Sequence, residues 1–312
     1  MVEARADRFG LIVESSTPEI YGAEHLLIRR AIRKAPVFLG ARVGMLLSNW
    51  HSVAKTCPAF TGGSAVFKGT VSFRARIIGH GLKFPLCEFK PPEPSVDKIG
   101  VESKDGHEIL STVHLSSIPT REEGIAMATT LNTAILDRIT FFYDSAIEGG
   151  QITGAQFSPV NPPPGQGLGV EVGDYLHLGE SINLIRGISA ACLKDVLEKV
   201  SPPGEQRFGL FRSARQSMSH VEEFVHLYNL LLLLCGDDQG KVDAFIRGAE
   251  PTVPQTQHPL KAHGVMETIY SRLRNELAHP RTGGDLDTIK GEMVTRLDGL
   301  RALTKQAIEV RP

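Results

Sequence analysis

Asn161-Pro-Pro-Pro-Gly-Gln-Gly-Leu-Gly-Val-Glu-Val-Gly173 is the stretch on which the reading of the fold turns. Three successive prolines withhold three backbone donors, and the glycines behind them favour no single conformation, so neither a helix nor a strand ladder should run through it. A second interruption, Ser201-Pro202-Pro203-Gly204, lies further on. The hydrophobic period changes across the first break, from mixed to almost wholly helical. The chain therefore reads as an α+β N-terminal domain over residues 1–160, a Pro/Gly-rich linker region over 161–180 and an all-α helical bundle over 181–312. No repeat of fixed period is present.

On the N-terminal side, Val71, Phe73, Ala75 and Ile77 alternate with Ser72, Arg74 and Arg76, the pattern of a half-buried strand. Further strands are expected at Phe84 to Phe89 and, after the turn-like Lys104-Asp105-Gly106, at Ile109 to Ser117. Leu26 to Lys34 reads as a short basic helix. Thr120 and Glu123 form a capping box. Behind it, Ile125, Ala128, Leu131, Ile135, Ile139 and Phe142 recur at three- and four-residue steps and make one apolar face.

On the C-terminal side, helices are expected at Ile182 to Val200, Arg207 to Cys235 with a break near Ser217, Lys241 to Gly248, Gly264 to His279 and Asp285 to Glu309. The last carries a bundle seam of Leu286, Ile289, Met293, Leu297 and Leu300. Gly291 and Gly299 weaken it by about 1 kcal/mol each relative to alanine, so packing must hold it.

The most informative segment is Tyr270-Ser271-Arg272-Leu273-Arg274-Asn275-Glu276-Leu277-Ala278-His279-Pro280-Arg281. Val265, Ile269, Leu273 and Leu277 form its buried stripe, which leaves Arg274, Asn275 and His279 available for polar work. Asn275 and His279 are neighbours on the helix surface, and Pro280 should end the helix at His279. Arg-Asn followed by His resembles the Arg-x(4 to 6)-His motif of HEPN domains. Leu210-Phe211-Arg212-Ser213-Ala214, Phe224-Val225-His226-Leu227-Tyr228-Asn229 and Val242-Asp243-Ala244-Phe245-Ile246 resemble earlier helices of the Apea-like HEPN group and of the related methylamine-utilisation MauJ proteins. The resemblance covers residues 205 to 305. The acidic position that follows the Leu-Tyr-x-x-Leu element in those proteins is Leu232 here.

The resemblance implies a helical HEPN-type domain, a homodimer that brings two motifs into one cleft, and metal-independent endoribonuclease activity on RNA, with a defence or toxin setting. In it Arg274 would stabilise phosphate charge, Asn275 would orient, and His279 would carry protons while a ribose 2′-hydroxyl attacks the adjacent phosphate. Arg272, Arg281 and Tyr270 are candidate substrate contacts. The alternative implied by the same resemblance is a non-catalytic interaction or accessory protein, MauJ-like and linked to methylamine utilisation.

Charge narrows the partners. The 312 residues carry 34 Lys and Arg against 35 Asp and Glu, and residues 204–312 carry 14 of each, which excludes broad electrostatic coating of RNA or of an anionic membrane. Around the motif the sign tilts, with Arg272, Arg274 and Arg281 against Glu276. No apolar run approaches the roughly 20 residues of a bilayer span, and the N-terminus lacks an apolar leader core, so a cytoplasmic location without membrane attachment is expected. Cys57, Cys87, Cys192 and Cys235 are too scattered for a zinc site or a disulfide framework, and His220 and His226 are six apart, so no metal and no cofactor is expected. Gly165-Gln166-Gly167-Leu168-Gly169 lacks the register of a phosphate loop and reads as linker, and Leu230 to Leu234 reads as core. Arg29, Arg30, Arg33 and Lys34 with Arg74 and Arg76 could make one cationic patch through which the N-terminal domain meets a protein partner or RNA phosphates. Trp50 is the only tryptophan.

Overall fold

The computed structural model describes residues 66–160, 171–172, 185–199, 206–259, 264–279 and 285–310. The described residues all belong to one compact unit, Ala65–Pro312, and Met1–Ser64 lies outside them. So do the expected basic helix at Leu26 to Lys34, Cys57, Trp50, Arg281 and most of the expected linker.

A seven-stranded sheet comes first. Its strands are β1 (Phe67–Ile78), β2 (Gly81–Phe89), β3 (Val96–Ser103), β4 (Glu108–Ile118), β5 (Ala146–Pro159), β6 (Glu171–Val172) and β7 (Ile185–Gly187), in the order β6-β5-β1-β4-β3-β2-β7. All pairs are antiparallel except β2 with β7, which makes the sheet mixed. The alternation read in β1 is realised: Val71, Phe73, Ala75 and Ile77 are buried, and the residues between them face outward. On that outer face Arg74 pairs with Glu108 and Arg76 with Glu148, so these two cations of the expected patch are locally neutralised. The 14-residue β5 was not expected. Its Gly149 and Gly150 hold positive φ beside two register shifts against β1, and so it lacks the regular alternation of a flat strand.

Helix α1 (Arg121–Tyr143) begins at the expected cap, where the Thr120 side chain accepts from the Glu123 N–H. Its Ala128, Ile135, Leu136 and Ile139 pack into the sheet core, together with Leu193 and Leu197 of α2 (Ala190–Glu198). The buried Arg138 of α1 donates to the carbonyls of Val196, Leu197 and Lys199, and so serves the otherwise unsatisfied end of α2. One helical turn after Arg138 the core changes. Phe141 stacks on Phe208 at 4.1 Å between centroids and belongs to a second core formed by the C-terminal helices.

Those helices are α3 (Gln206–Arg215), α4 (His220–Leu234), α5 (Gln239–Ala249), α6 (Ile269–Ala278) and α7 (Leu286–Val310), with a hairpin of β8 (Gln255–Gln257) and β9 (Met266–Thr268) inserted before α6. The break near Ser217 lies where expected, between α3 and α4. The expected helix from Ile182 is instead β7 followed by α2, and the expected helix from Gly264 begins as β9. The fold class read from the sequence, an α+β domain followed by an all-α bundle, is thereby corrected. The arrangement is α/β, a mixed sheet followed by helices, with strands contributed from both sides of the proline break. The cause is that α1 carries apolar residues for two cores, whereas a linear scan of periodicity assigns each helix to one.

Charged groups fasten the two cores together. Asp137 of α1 forms an ion pair with Arg212 of α3 at 2.6 Å. The buried Glu223 of α4 accepts bidentately from Arg301 of α7, with both contacts at 2.8 Å, and also pairs with Arg215 of α3. Arg215 in turn donates to the carbonyl of Asp144, the left-handed cap of α1. Burial acts to raise the Glu223 carboxyl, but the bonds and charges of Arg301 and Arg215 outweigh it and hold the group below the ordinary carboxylate range. A folded-state value below the unfolded one gives stability that is complete above about pH 4.3 and lost as pH falls through the folded value. Urea unfolding at neutral pH should show Glu223→Ala destabilised by about 3 kcal/mol, because the largely buried guanidinium groups of Arg215 and Arg301 lose their buried partner and keep only the more exposed Asp144 and Asp298. The same variant should lose the part of the wild type's acid sensitivity that comes from this carboxyl.

Gly299 is the one place in α7 where glycine is required by contact. A Cβ there would run into the Tyr270 hydroxyl. Gly299→Ala should therefore destabilise despite alanine's better helix propensity, and combining it with Tyr270→Phe should recover part of the loss in a thermal-melt double-mutant cycle.

Candidate active site

Helix α6 carries the motif, and its start is fixed from outside the helix. Thr268 ends β9 and caps α6, and its backbone N–H and hydroxyl both donate to Asp243 Oδ1 of α5, at 2.9 and 2.7 Å. The Ser271 hydroxyl donates to the same oxygen at 2.7 Å. A hydroxyl has one proton, so the 2.7 Å contact between Ser271 and Tyr228 is donated by the tyrosine of α4. Burial pushes the Tyr228 hydroxyl up to about 12, an effect that the Ser271 bond and Arg274 oppose and that Asp243 and Glu267 reinforce. It remains a donor at physiological pH.

The motif side chains sit above this network. The half-buried Arg274 guanidinium lies over the Tyr228 ring, 6.0 Å from its centroid, and donates to Asn275 Oδ1 at 3.3 Å. Asn275 Nδ2 donates to Glu267 Oε2 of β9 at 3.0 Å and reaches Gln239 Oε1 of α5 at 3.4 Å. Glu267 is 1% exposed, and His258 Nε2 stands 3.9 Å from its carboxylate. Among the described residues no carboxylate pairs with Arg274, whereas Arg212, Arg215, Arg272 and Arg301 are all in ion pairs. His279 leaves the helix at φ −139° and ψ 81°, as a residue before proline must, and its backbone N–H bonds to Asn275 O at 2.8 Å. Its imidazole is exposed.

The structure thus brings Arg274 and Asn275 together and sets His279 at the open end of the same helix. The other candidates are placed differently. Arg272 pairs with Glu292 of α7, and Tyr270 is 1% exposed in the core, its hydroxyl donating to Glu250 at 3.0 Å. Burial first, and then Glu250, push the Tyr270 hydroxyl well above its ordinary range. Leu232 is half-buried against the bundle core, and the buried acids that bond the motif helix at Ser271 and Asn275 are Asp243 and Glu267. Neither was singled out from the sequence. Asp243 could have been, since it shares the buried stripe of α5 with Val242 and Ile246. Glu267 gave no signal, because it sits in a three-residue strand hidden in a helical pattern.

Between α5 and the hairpin lies a cavity of about 400 Å³, lined among others by Asp243, Arg247, Gln255 and His258. No group of three or more metal-ligating side chains occurs among the described residues. His226 bonds to Ser217 and His220 stands beside Glu223. No protein-family model, curated protein or solved structure matches the chain, so any chemistry assigned to it rests on this geometry.

Replacing Asp243 by alanine should leave Thr268 and Ser271 without their shared buried acceptor. A loss of about 3 kcal/mol is expected in denaturant unfolding, against a much smaller loss for Asp243→Asn, which keeps an acceptor oxygen.

Proposed function

We propose that the protein is a HEPN-type, metal-independent endoribonuclease that cleaves RNA through Arg274, Asn275 and His279. One observation carries the reading: a half-buried guanidinium without a carboxylate partner among the described residues shares a short helix with an exposed imidazole at its end. In the reaction the imidazole of His279 carries the proton as the ribose 2′-hydroxyl attacks the adjacent phosphate. Arg274 stabilises the charge that gathers on the phosphoryl oxygens. The P–O5′ bond breaks as the proton is delivered to O5′, and a 2′,3′-cyclic phosphate and a 5′-hydroxyl remain. A homodimer that joins two such helix ends would supply two guanidinium groups and two imidazoles to one cleft from a chain of near-zero net charge. No helix among the described residues is long and apolar enough to cross a membrane; a cytoplasmic location is part of the proposal.

Two features favour an accessory protein without catalysis as the second reading. A leucine stands at position 232, and Arg272 is already engaged by Glu292. Incubating the full-length protein with RNA in excess chelator separates the two. Cyclic-phosphate ends detected by mass spectrometry, with the rate reduced by about 100-fold or more in His279→Ala, are expected of the nuclease. Equal cleavage by wild type and variant, or none by either, would remove this reading.

A further inference from the structure

We propose that Glu267 and Asp243 are positioning residues of an oxyanion site at Arg274, and that this site takes a phosphodiester group. The phosphodiester as ligand rests on the nuclease reading, whereas the positioning geometry stands apart from it.

The guanidinium has five N–H donors, and only the one to Asn275 Oδ1 is engaged within the described residues. That bond requires the amide of Asn275 to face one way. Its Nδ2 stands between two acceptors, Glu267 Oε2 at 3.0 Å and Gln239 Oε1 at 3.4 Å. A flipped amide would set its oxygen against both of them, and it would turn an N–H toward Arg274. Glu267 therefore acts on the guanidinium through the amide, as the group that presents Oδ1 to it.

Asp243 acts from below. It accepts from Ser271, Ser271 accepts from Tyr228, and the Tyr228 ring is the surface on which the guanidinium rests. Glu267 and Asp243 are 1% and 4% exposed, so water competes little for either arm, while the half-buried Arg274 remains open to a ligand. A carboxylate in direct contact would neutralise the arginine. Each carboxylate here is separated from it by at least one neutral side chain, which fixes the geometry and leaves the positive charge for an incoming anion. A planar fork of this kind suits the two non-bridging oxygens of a phosphodiester.

The test uses the full-length protein in chelator and a fluorescein-labelled 2′-O-methyl oligoribonucleotide, which has the phosphodiester but no attacking hydroxyl. Glu267→Gln keeps an acceptor for Asn275, and Glu267→Ala does not. By anisotropy, Glu267→Ala should bind about tenfold more weakly, with Glu267→Gln restored to within about twofold of wild type. With unmodified RNA the same loss should appear mainly as a raised KM. Binding by a folded Glu267→Ala protein equal to wild type overturns the proposal. So does a Glu267→Gln protein as weak as Glu267→Ala, because the role would then be charge or folding and not amide orientation. Displacement of the oligonucleotide by an equal concentration of inorganic phosphate overturns the choice of a phosphodiester.

Should Glu267→Ala fail to fold, Tyr228→Phe, which deletes one hydroxyl and keeps the ring, carries the test. It should bind about threefold more weakly, and wild-type affinity counts against the Asp243 arm. If the oligonucleotide binds with this pattern and no RNA is cleaved, the nuclease reading fails and the positioning stands. If cleavage continues at the wild-type KM in Glu267→Ala, the nuclease reading stands and the positioning fails.

Discussion

Helix α1 has to bury apolar side chains in two places at once, and the rest of the structure follows from how it does so. Over most of its 23 residues it lies on the sheet, and at its C-terminal end it inserts Phe141 between Phe208 and Phe211 of the helical core. Two cores joined by one helix are held in a fixed relation, because a shift that improved one would open the other. The ion pairs at Asp137, Asp144 and Glu223 surround that junction and fix the direction in which α3, α4 and α7 leave it. Such pairs add little net energy where they are exposed, but with their partners largely buried they penalise every alternative arrangement that would leave a charge alone.

The candidate site reuses the same principle on a smaller scale. Buried carboxylates are costly unless fully hydrogen-bonded, and the hydrogen bonds that satisfy Asp243 of α5 come from two other elements, β9 and α6. Satisfying one acid therefore locates the start of the motif helix to within hydrogen-bond tolerance. The cation on that helix inherits the precision without being paired. Exposed His279 is not held in this way. The arrangement is tied by hydrogen bonds beside the guanidinium and open to solvent at the imidazole.

Much of this was legible in residue patterns, and what was not had physical causes. The alternation of Val71 to Ile77 and the capping box at Thr120 are local signals, and both elements formed as read. Strand β5 was hidden because bulges at glycines break its alternation, and β7, β8 and β9 because three residues cannot display a period. The division of the chain at its prolines misled the fold class, since proline interrupts hydrogen bonding without saying whether the flanking elements share a core. At the site, Arg274, Asn275 and His279 could be found because they leave the buried stripe of α6. Tyr270 was read as a candidate substrate contact, but the missing side chain of Gly299, distant in sequence, gives it a place inside. Glu267 looks like a solvated acid until its hydrogen-bond partners are known, whereas the place of Asp243 beside Val242 and Ile246 already sets it on a buried stripe.

Thr268 is at once the last residue of β9 and the cap of α6, so strand and helix are joined without slack. The helix turns by about 100° for each residue. One residue inserted between Thr268 and Ile269 would carry Ser271 away from Asp243 and Asn275 away from Glu267 in a single step, with every side chain still present. The number of residues from Glu267 to Asn275 thus works as a phase setting. Changes of length elsewhere in the bundle's connections could be absorbed by a loop, but at this joint they would uncouple the cation from both of its supports.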